Sequence, residues 1–268
     1  MAALSGFVNF FCSDVLREVE FFRAEIHEHR FPPHAHDHYA VALILDGTFH
    51  LERGERADVL RSGAVVCVAP GQVHSGHRLG SSGCRYRMFY IDRSLVDPAI
   101  EGALEPEPLY REELFADLLD LHRTCERGSG GEARQGLLRT LKALKADHTP
   151  GHQPSENAAL SDDILDEVLD LLDREDEAAD LLSVGDLAAL SGLHPAYFSR
   201  LFTARLGLPP HAYRIDRKVQ HARRRIAAGA ALADVALDLG FADQSHLNRH
   251  FKRRFGLAPG AYARQIRG

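Results

Sequence analysis

Residues 198–213, FSRLFTARLGLPPHAY, recur 49 positions later as 247–262, LNRHFKRRFGLAPGAY. Eight of the 16 aligned positions are identical: Arg200/Arg249, Phe202/Phe251, Arg205/Arg254, Gly207/Gly256, Leu208/Leu257, Pro210/Pro259, Ala212/Ala261 and Tyr213/Tyr262. A stretch that keeps its aromatic, glycine and proline positions twice must fold the same way twice, because each copy has the same packing to satisfy. Upstream of each copy lies a short apolar-periodic stretch broken by a glycine, Leu187–Leu193 around Gly192 and Val235–Phe241 around Gly240. Short helix, glycine turn and longer helix is the helix-turn-helix arrangement. The chain is predicted to hold it twice, joined by a long helix from about Pro209 to Gly229. Ser183 is placed to cap the short helix of 184–190, its hydroxyl accepting from an otherwise orphan backbone N–H.

Charge points the same way. The 268-residue chain has a formal net charge of -6, but residues 183–268 carry 14 Lys+Arg against 5 Asp+Glu, a net of +9, and residues 1–182 a net of -15. A basic final third on an acidic body suits a chain of which one part meets a polyanion. From Leu160 onward the chain reads as helical, with Ile164, Leu165, Val168, Leu171 and Leu172 on one apolar face of the first helix. Ten acids between Asp162 and Asp180 keep its other face away from phosphate.

In a helix-turn-helix the second helix enters the major groove, its N-terminal residues at base edges. That puts Pro195, Ala196, Ser199 and Arg200 at the groove in the first unit, and Gln244, Ser245, Asn248 and Arg249 in the second. Arginine can grip guanine O6 and N7 together, and Asn or Gln can do the same at adenine N6 and N7. The second helix is therefore the richer reader, and the first leans more on phosphate and DNA shape. Lys252 and Arg253 follow the readers and are the phosphate candidates.

GFADQSHLNRHFKRRFG at 240–256, followed by LAPGAY, resembles the signature of AraC/XylS-type transcriptional regulators, and LAALSGLHPAYFSRLF at 187–202 supports it. The resemblance runs from about Ile164 to Arg267. It implies two helix-turn-helix units on a rigid linking helix, binding double-stranded promoter DNA. It also implies activation of transcription near RNA polymerase and a cupin-like N-terminal barrel that binds a small effector without catalysis. Ala196 departs from the pattern, standing where members often place a larger reader.

The first hundred residues read as β-structure on their own evidence. Tyr39–Leu45 is a β-rich apolar run closed by Asp46-Gly47, a dipeptide of hairpin turns. Thr48–Arg53 alternates, Ala64–Ala69 is a buried-type run ended by Pro70-Gly71, and Arg85–Ile91 alternates again. Short strands at close spacing suggest a small barrel or sandwich. Glu112–Cys125 and a stripe through Leu137, Leu138, Leu141 and Leu144 predict an αα-hairpin, for packing on the barrel or for pairing two subunits. The stretch TPGHQPSENAA at 149–159 reads as a linker. The expected chain is thus α+β and multidomain. A cupin-like effector-binding barrel spans 1–105, a helical hairpin 106–148 and a linker 149–160. An all-α AraC-type DNA-binding domain with two helix-turn-helix units spans 161–268.

Ten of the 16 histidines precede the linker, with clusters at His34, His36, His38 and at His74 and His77. On a strand, a His-x-His pair sends both rings to one face. With His74 from across the barrel, His34 and His36 are the metal candidates, an arrangement similar to the two cupin motifs. Cupin metal sites add a glutamate shortly after the pair, and here that stretch is Tyr39-Ala40-Val41-Ala42. A catalytic metal centre, with its open coordination position, is therefore disfavoured. A bound divalent ion stays open as an alternative, and no cofactor is required. The reading preferred is a sensory pocket for a small polar or anionic effector, with His34, His36, His38, Tyr39, His74 and Arg87 as candidates. The rival is a metal-dependent cupin enzyme with a helical tail, which has no need of a repeat with matched arginines.

No apolar run approaches the roughly 20 residues that span a bilayer. Met1 to Phe11 lacks a basic leader. Cys12, Cys67, Cys84 and Cys125 show no paired spacing, so a disulfide framework is not expected and the reducing cytoplasm is.

Overall fold

The computed structural model describes residues 6–54, 56–100, 104, 107–129, 131–145, 160–174 and 182–267. The predicted linker falls outside the described residues except for Leu160. The chain divides into two compact units, Met1–Phe31 with Ala35–Pro150 and Arg264–Gly268, and Pro32–His34 with Gly151–Ala263.

Among the described residues the N-terminal part holds nine strands: β1 (Gly6–Ser13), β2 (Leu16–Ile26), β3 (Arg30–His34), β4 (Tyr39–Asp46), β5 (Thr48–Arg53), β6 (Arg56–Arg61), β7 (Val65–Val68), β8 (His74–Leu79) and β9 (Cys84–Ile91). Five form one sheet in the order β1-β2-β9-β4-β7 and four a second in the order β3-β8-β5-β6. Alternation along the strands gives the first sheet two buried faces. Val19, Phe21, Val41, Leu43, Phe89 and Ile91 face α2 (Glu112–Glu126) and α3 (Ala133–Lys145). There they pack with Leu114, Leu118, Leu137 and Leu141. Phe10, Phe22, Tyr86 and Tyr90 share the opposite face, where Phe10 meets Phe22 at 4.6 Å and Tyr86 meets Phe49 of the second sheet at 5.8 Å. The predicted αα-hairpin is thus a layer on the sheet. A short helix, α1 (Arg93–Val96), is capped by Asp92.

Asp46-Gly47 does not close a hairpin. β4 pairs with β9 and β7, while β5 pairs with β6 and β8, so the chain changes sheets at Gly47. The glycine is needed for another reason: at φ +79 a Cβ would lie 2.3 Å from the Gly83 carbonyl oxygen.

In the second unit, α4 (Asp162–Asp173) packs on α7, and its Asp173 accepts from Arg217 at 2.5 Å and lies 3.2 Å from His221 Nε2. The first helix-turn-helix is α5 (Val184–Leu190) and α6 (Pro195–Leu206); α7 (Pro210–Ala227) leads to the second, α8 (Leu232–Asp238) and α9 (Gln244–Phe255), and α10 (Pro259–Arg267) follows. Ser183 and Asp186 form a reciprocal capping box on α5, as the sequence predicts for Ser183. Both α6 and α9 end on a left-handed glycine, Gly207 (φ 74) and Gly256 (φ 80).

Candidate nucleic-acid interface and barrel site

The two long helices of the repeat start alike. His194 caps α6 by accepting from the Ala196 N–H at 3.3 Å, and Asp243 caps α9 by accepting from the His246 N–H at 2.6 Å. Glycines at φ 65, Gly192 and Gly240, turn the chain ahead of each. The buried sides match, Phe198 and Phe202 in α6 falling where Leu247 and Phe251 fall in α9. Phe202 packs on Tyr213 at 5.7 Å and Phe251 on Tyr262 at 5.5 Å.

The opposite faces match as well. Pro195, Ala196 and Arg200 are exposed and Ser199 half-buried; Gln244, Ser245, Asn248 and Arg249 are all exposed. Spaced i, i+1, i+4 and i+5, each set occupies one side of the first two helical turns. Arg200 and Arg249 make no ion pair among the described residues, which leaves their guanidinium groups available. Lys252 is half-buried and Arg253 exposed on the continuation of α9. The predicted reading residues are therefore brought together in each helix.

The other matched arginine pair is not part of this face. Arg254 is buried and donates to Asp216 of α7 at 2.9 Å, while Arg205 donates to the Leu160 carbonyl at 3.2 Å. Two further groups escape the sequence pattern. Tyr197 is exposed beneath the Arg200 guanidinium, 5.6 Å from its ring centre. His246 and His250 meet edge to face along α9, with Nε2 atoms 3.0 Å apart. Burial, then the neighbouring His246, hold His250 below the ordinary imidazole range. An i, i+4 histidine pair was the only available signal for the second.

Among the described residues His34, His36 and His74 are buried, with one ring nitrogen from each lying within 4.8 Å of the others. The His-x-His pair is not on one strand: His34 ends β3, and His36 lies in the following loop. Each Nδ1 faces a backbone carbonyl two residues away, His34 to Pro32 at 2.6 Å, His36 to His38 at 2.9 Å and His74 to Gln72 at 2.9 Å. A carbonyl only accepts, so Nδ1 carries the proton and Nε2 keeps its lone pair. That is the orientation in which imidazoles ligate metals. Three neutral imidazoles fit an ion of the zinc or nickel type. Tyr90 borders the cluster, 5.6 Å from His36.

The remaining effector candidates do not join them. His38 contributes its carbonyl to orient His36, and its ring lies near Asp92. Tyr39 donates to Asp97 at 3.0 Å and packs on the helix-facing core. Burial, with that carboxylate beside it, pushes its hydroxyl up to about 12. Arg87 also projects to the helix side, bonding His122 at 2.8 Å and Glu126 at 2.6 Å. One-residue alternation separates both side chains from the barrel interior.

Among the described residues no helix is long and apolar enough to cross a membrane. The AraC-like ligand binding domain model matches residues 18–142, and a helix-turn-helix domain model matches residues 187–265. The chain is 26% identical over 227 residues to the uncharacterized HTH-type transcriptional regulator YbfI of Bacillus subtilis, covering 81% of this chain and 82% of that one. It is 23% identical over 243 residues to the transcriptional activator NphR of Rhodococcus, covering 85% and 70%. Its fold is similar to that of ToxT from Vibrio cholerae, with a TM-score of 0.59 at 13% identity over 94% of this chain and 99% of that one. With a ligand-binding domain in front, a double helix-turn-helix behind and regulators of matching arrangement as relatives, the chain belongs to the AraC/XylS family of transcriptional regulators.

Proposed function

We propose that α6 and α9 read successive major-groove segments of promoter DNA under control of a small effector held at His34, His36 and His74. In α9, Gln244, Ser245, Asn248 and Arg249 address base edges, and Lys252 and Arg253 address phosphates. In α6, Arg200 is the main reader, with Pro195, Ala196 and Ser199 lying close to the groove. The observation that carries this reading is the pair of exposed faces at equivalent positions on two helices capped at equivalent positions. Nothing in the packing of either helix requires an unpaired arginine there.

The three clustered imidazoles suit an effector that donates hydrogen bonds, or a divalent ion through which an anionic effector binds. No cofactor is needed for DNA binding, and the missing carboxylate after the histidine pair argues against catalysis. NphR is named an activator, and ToxT has been solved with an unsaturated fatty acid. By likeness we read this protein as an effector-controlled activator of the cytoplasm that meets RNA polymerase, with the outer face of the α2–α3 hairpin as a dimer surface. Effector control needs only that the ligand bind one conformational state better than the other.

Fluorescence anisotropy of the full chain on the duplex upstream of its own gene, beside a scrambled duplex, tests the reading. Tight binding to the native duplex that Arg249→Ala loses supports it. Equal binding of both duplexes by the wild type and the variant, with and without candidate effectors, overturns base reading by α9.

A further inference from the structure

We infer that His50, Glu52 and His77, on the outer face of the second sheet, form a binding site for a divalent transition-metal ion. β5 and β8 are antiparallel neighbours in which His50 stands opposite His77 and Glu52 opposite Ser75. Direct cross-strand partners project to the same face, and the imidazole rings lie 5.0 Å apart. One ligand atom from each of the three side chains lies within 4.8 Å of the others, and His50 Nδ1 is 3.3 Å from Glu52 Oε1. Two ligands at about 2.1 Å on a tetrahedral ion stand about 3.4 Å apart, so that pair is already at coordination spacing.

The surroundings prepare the donors. Ser75 Oγ donates to Glu52 Oε2 at 2.6 Å, which fixes the carboxylate and turns Oε1 toward His50. Such a hydrogen bond is what orients a ligating carboxylate in metal sites. His50 Nδ1 is buried and makes no hydrogen bond among the described residues.

Arg30 is the charged group whose field reaches both Glu52 and His77, and it opposes a cation. An ion held mainly by charge, such as Ca2+ or Mg2+, is disfavoured here. An ion that bonds imidazole strongly is not, and two imidazoles with one carboxylate suit Zn2+, Fe2+, Co2+ or Ni2+. The site is separate from the barrel histidines because strand alternation points His74 and Gly76 inward and Ser75 and His77 outward. A Cβ on Gly76 would strike the interior ring of Phe49 at 2.4 Å.

The test is titration of the chelator-stripped full chain with Co2+, followed by visible absorption, and with Zn2+ in competition with a chromophoric chelator. Of the ion that wild type binds, one equivalent is expected to be lost in His77→Gln and in Glu52→Gln and kept in His36→Gln, whether or not the barrel histidines hold a second. Ser75→Ala should weaken that equivalent by about 10-fold. The ligand positions are only partly buried, so far-UV circular dichroism of the metal-free variants should overlay wild type. Wild type binding no ion, or every variant of this trio keeping wild-type stoichiometry and affinity, would overturn the site.

Discussion

Arg249 is exposed on α9, whereas Arg254, five residues on, is buried against Asp216 at 2.9 Å. The repeat conserves both positions, and only burial tells their duties apart. Arg249→Ala should weaken specific DNA binding by about 1–3 kcal/mol, relax preference at one base and leave the melting temperature alone. Arg254→Ala removes a buried ion-pair partner of Asp216 and should destabilise the helical unit by about 3–5 kcal/mol. Thermal melts and anisotropy on both variants check the pair, and a swap of phenotypes would refute both assignments. Lys252→Ala should weaken binding to all sequences alike and flatten its salt dependence; a changed base preference would count against a phosphate role. His122 is a third residue whose burial decides its chemistry. Arg87 donates to its Nδ1 and its Nε2–H faces the Phe22 carbonyl at 3.2 Å, so the ring is neutral. Burial and Arg87 lower its pKa from 6.5 to about 4. Below pH 6.5 the unfolded chain gains a proton that the fold refuses until about pH 4. Stability is therefore unaffected above that window and falls across it, by about 3 kcal/mol at its acid end. Urea titrations of wild type and His122→Gln at several pH values test this: the variant should show a shallower acid loss, and parallel curves would reject it.

At the scale of elements, what was legible in the sequence was whatever periodicity or capping determines locally. The leucine stripes of α2 and α3 announce one buried face each, and the structure lays them on the first sheet through Leu118 and Leu141, both fully buried. Leu118→Ala should cost about 2–5 kcal/mol in denaturant unfolding, well above the cost at the half-buried Leu119. Comparable losses at the two positions would mean the hairpin is loosely seated. Strand partnership was not legible, because a turn dipeptide reports backbone curvature and not which strand lies alongside. Asp46-Gly47 curves the chain as expected, yet passes it to another sheet. The histidine clusters were misleading for a related reason. His74 and His77 are three apart and so take opposite faces of β8, while His50, from a different stretch of sequence, becomes the neighbour of His77 through pairing. Tyr39 and Arg87 went astray by one step of the same alternation. The recognition helices were the most readable part, since a repeat carries its caps, turn glycines and core positions with it.

For the whole molecule, the decisive quantity is whether both helix-turn-helix units engage one duplex together. The linking helix α7 has 18 residues, a length of about 27 Å at 1.5 Å per residue. Successive major-groove faces recur about every 34 Å, so a rigid connector of this size suits simultaneous contact. The charge distribution sharpens the expectation. With +9 on residues 183–268 and -15 on the remainder, only the C-terminal part is attracted to DNA, and attraction through both units adds counterions released. Arg200→Ala and Arg249→Ala lie in separate units with no shared partner, so their losses should add within about 0.5 kcal/mol. The double variant should then bind its operator about 2–6 kcal/mol more weakly than wild type. Anisotropy of the four proteins over a salt series decides the matter. Additive losses mean both helices read the same DNA. A silent Arg200→Ala, with an unchanged salt slope, would mean that α9 alone reads sequence and that the first unit serves as a spacer.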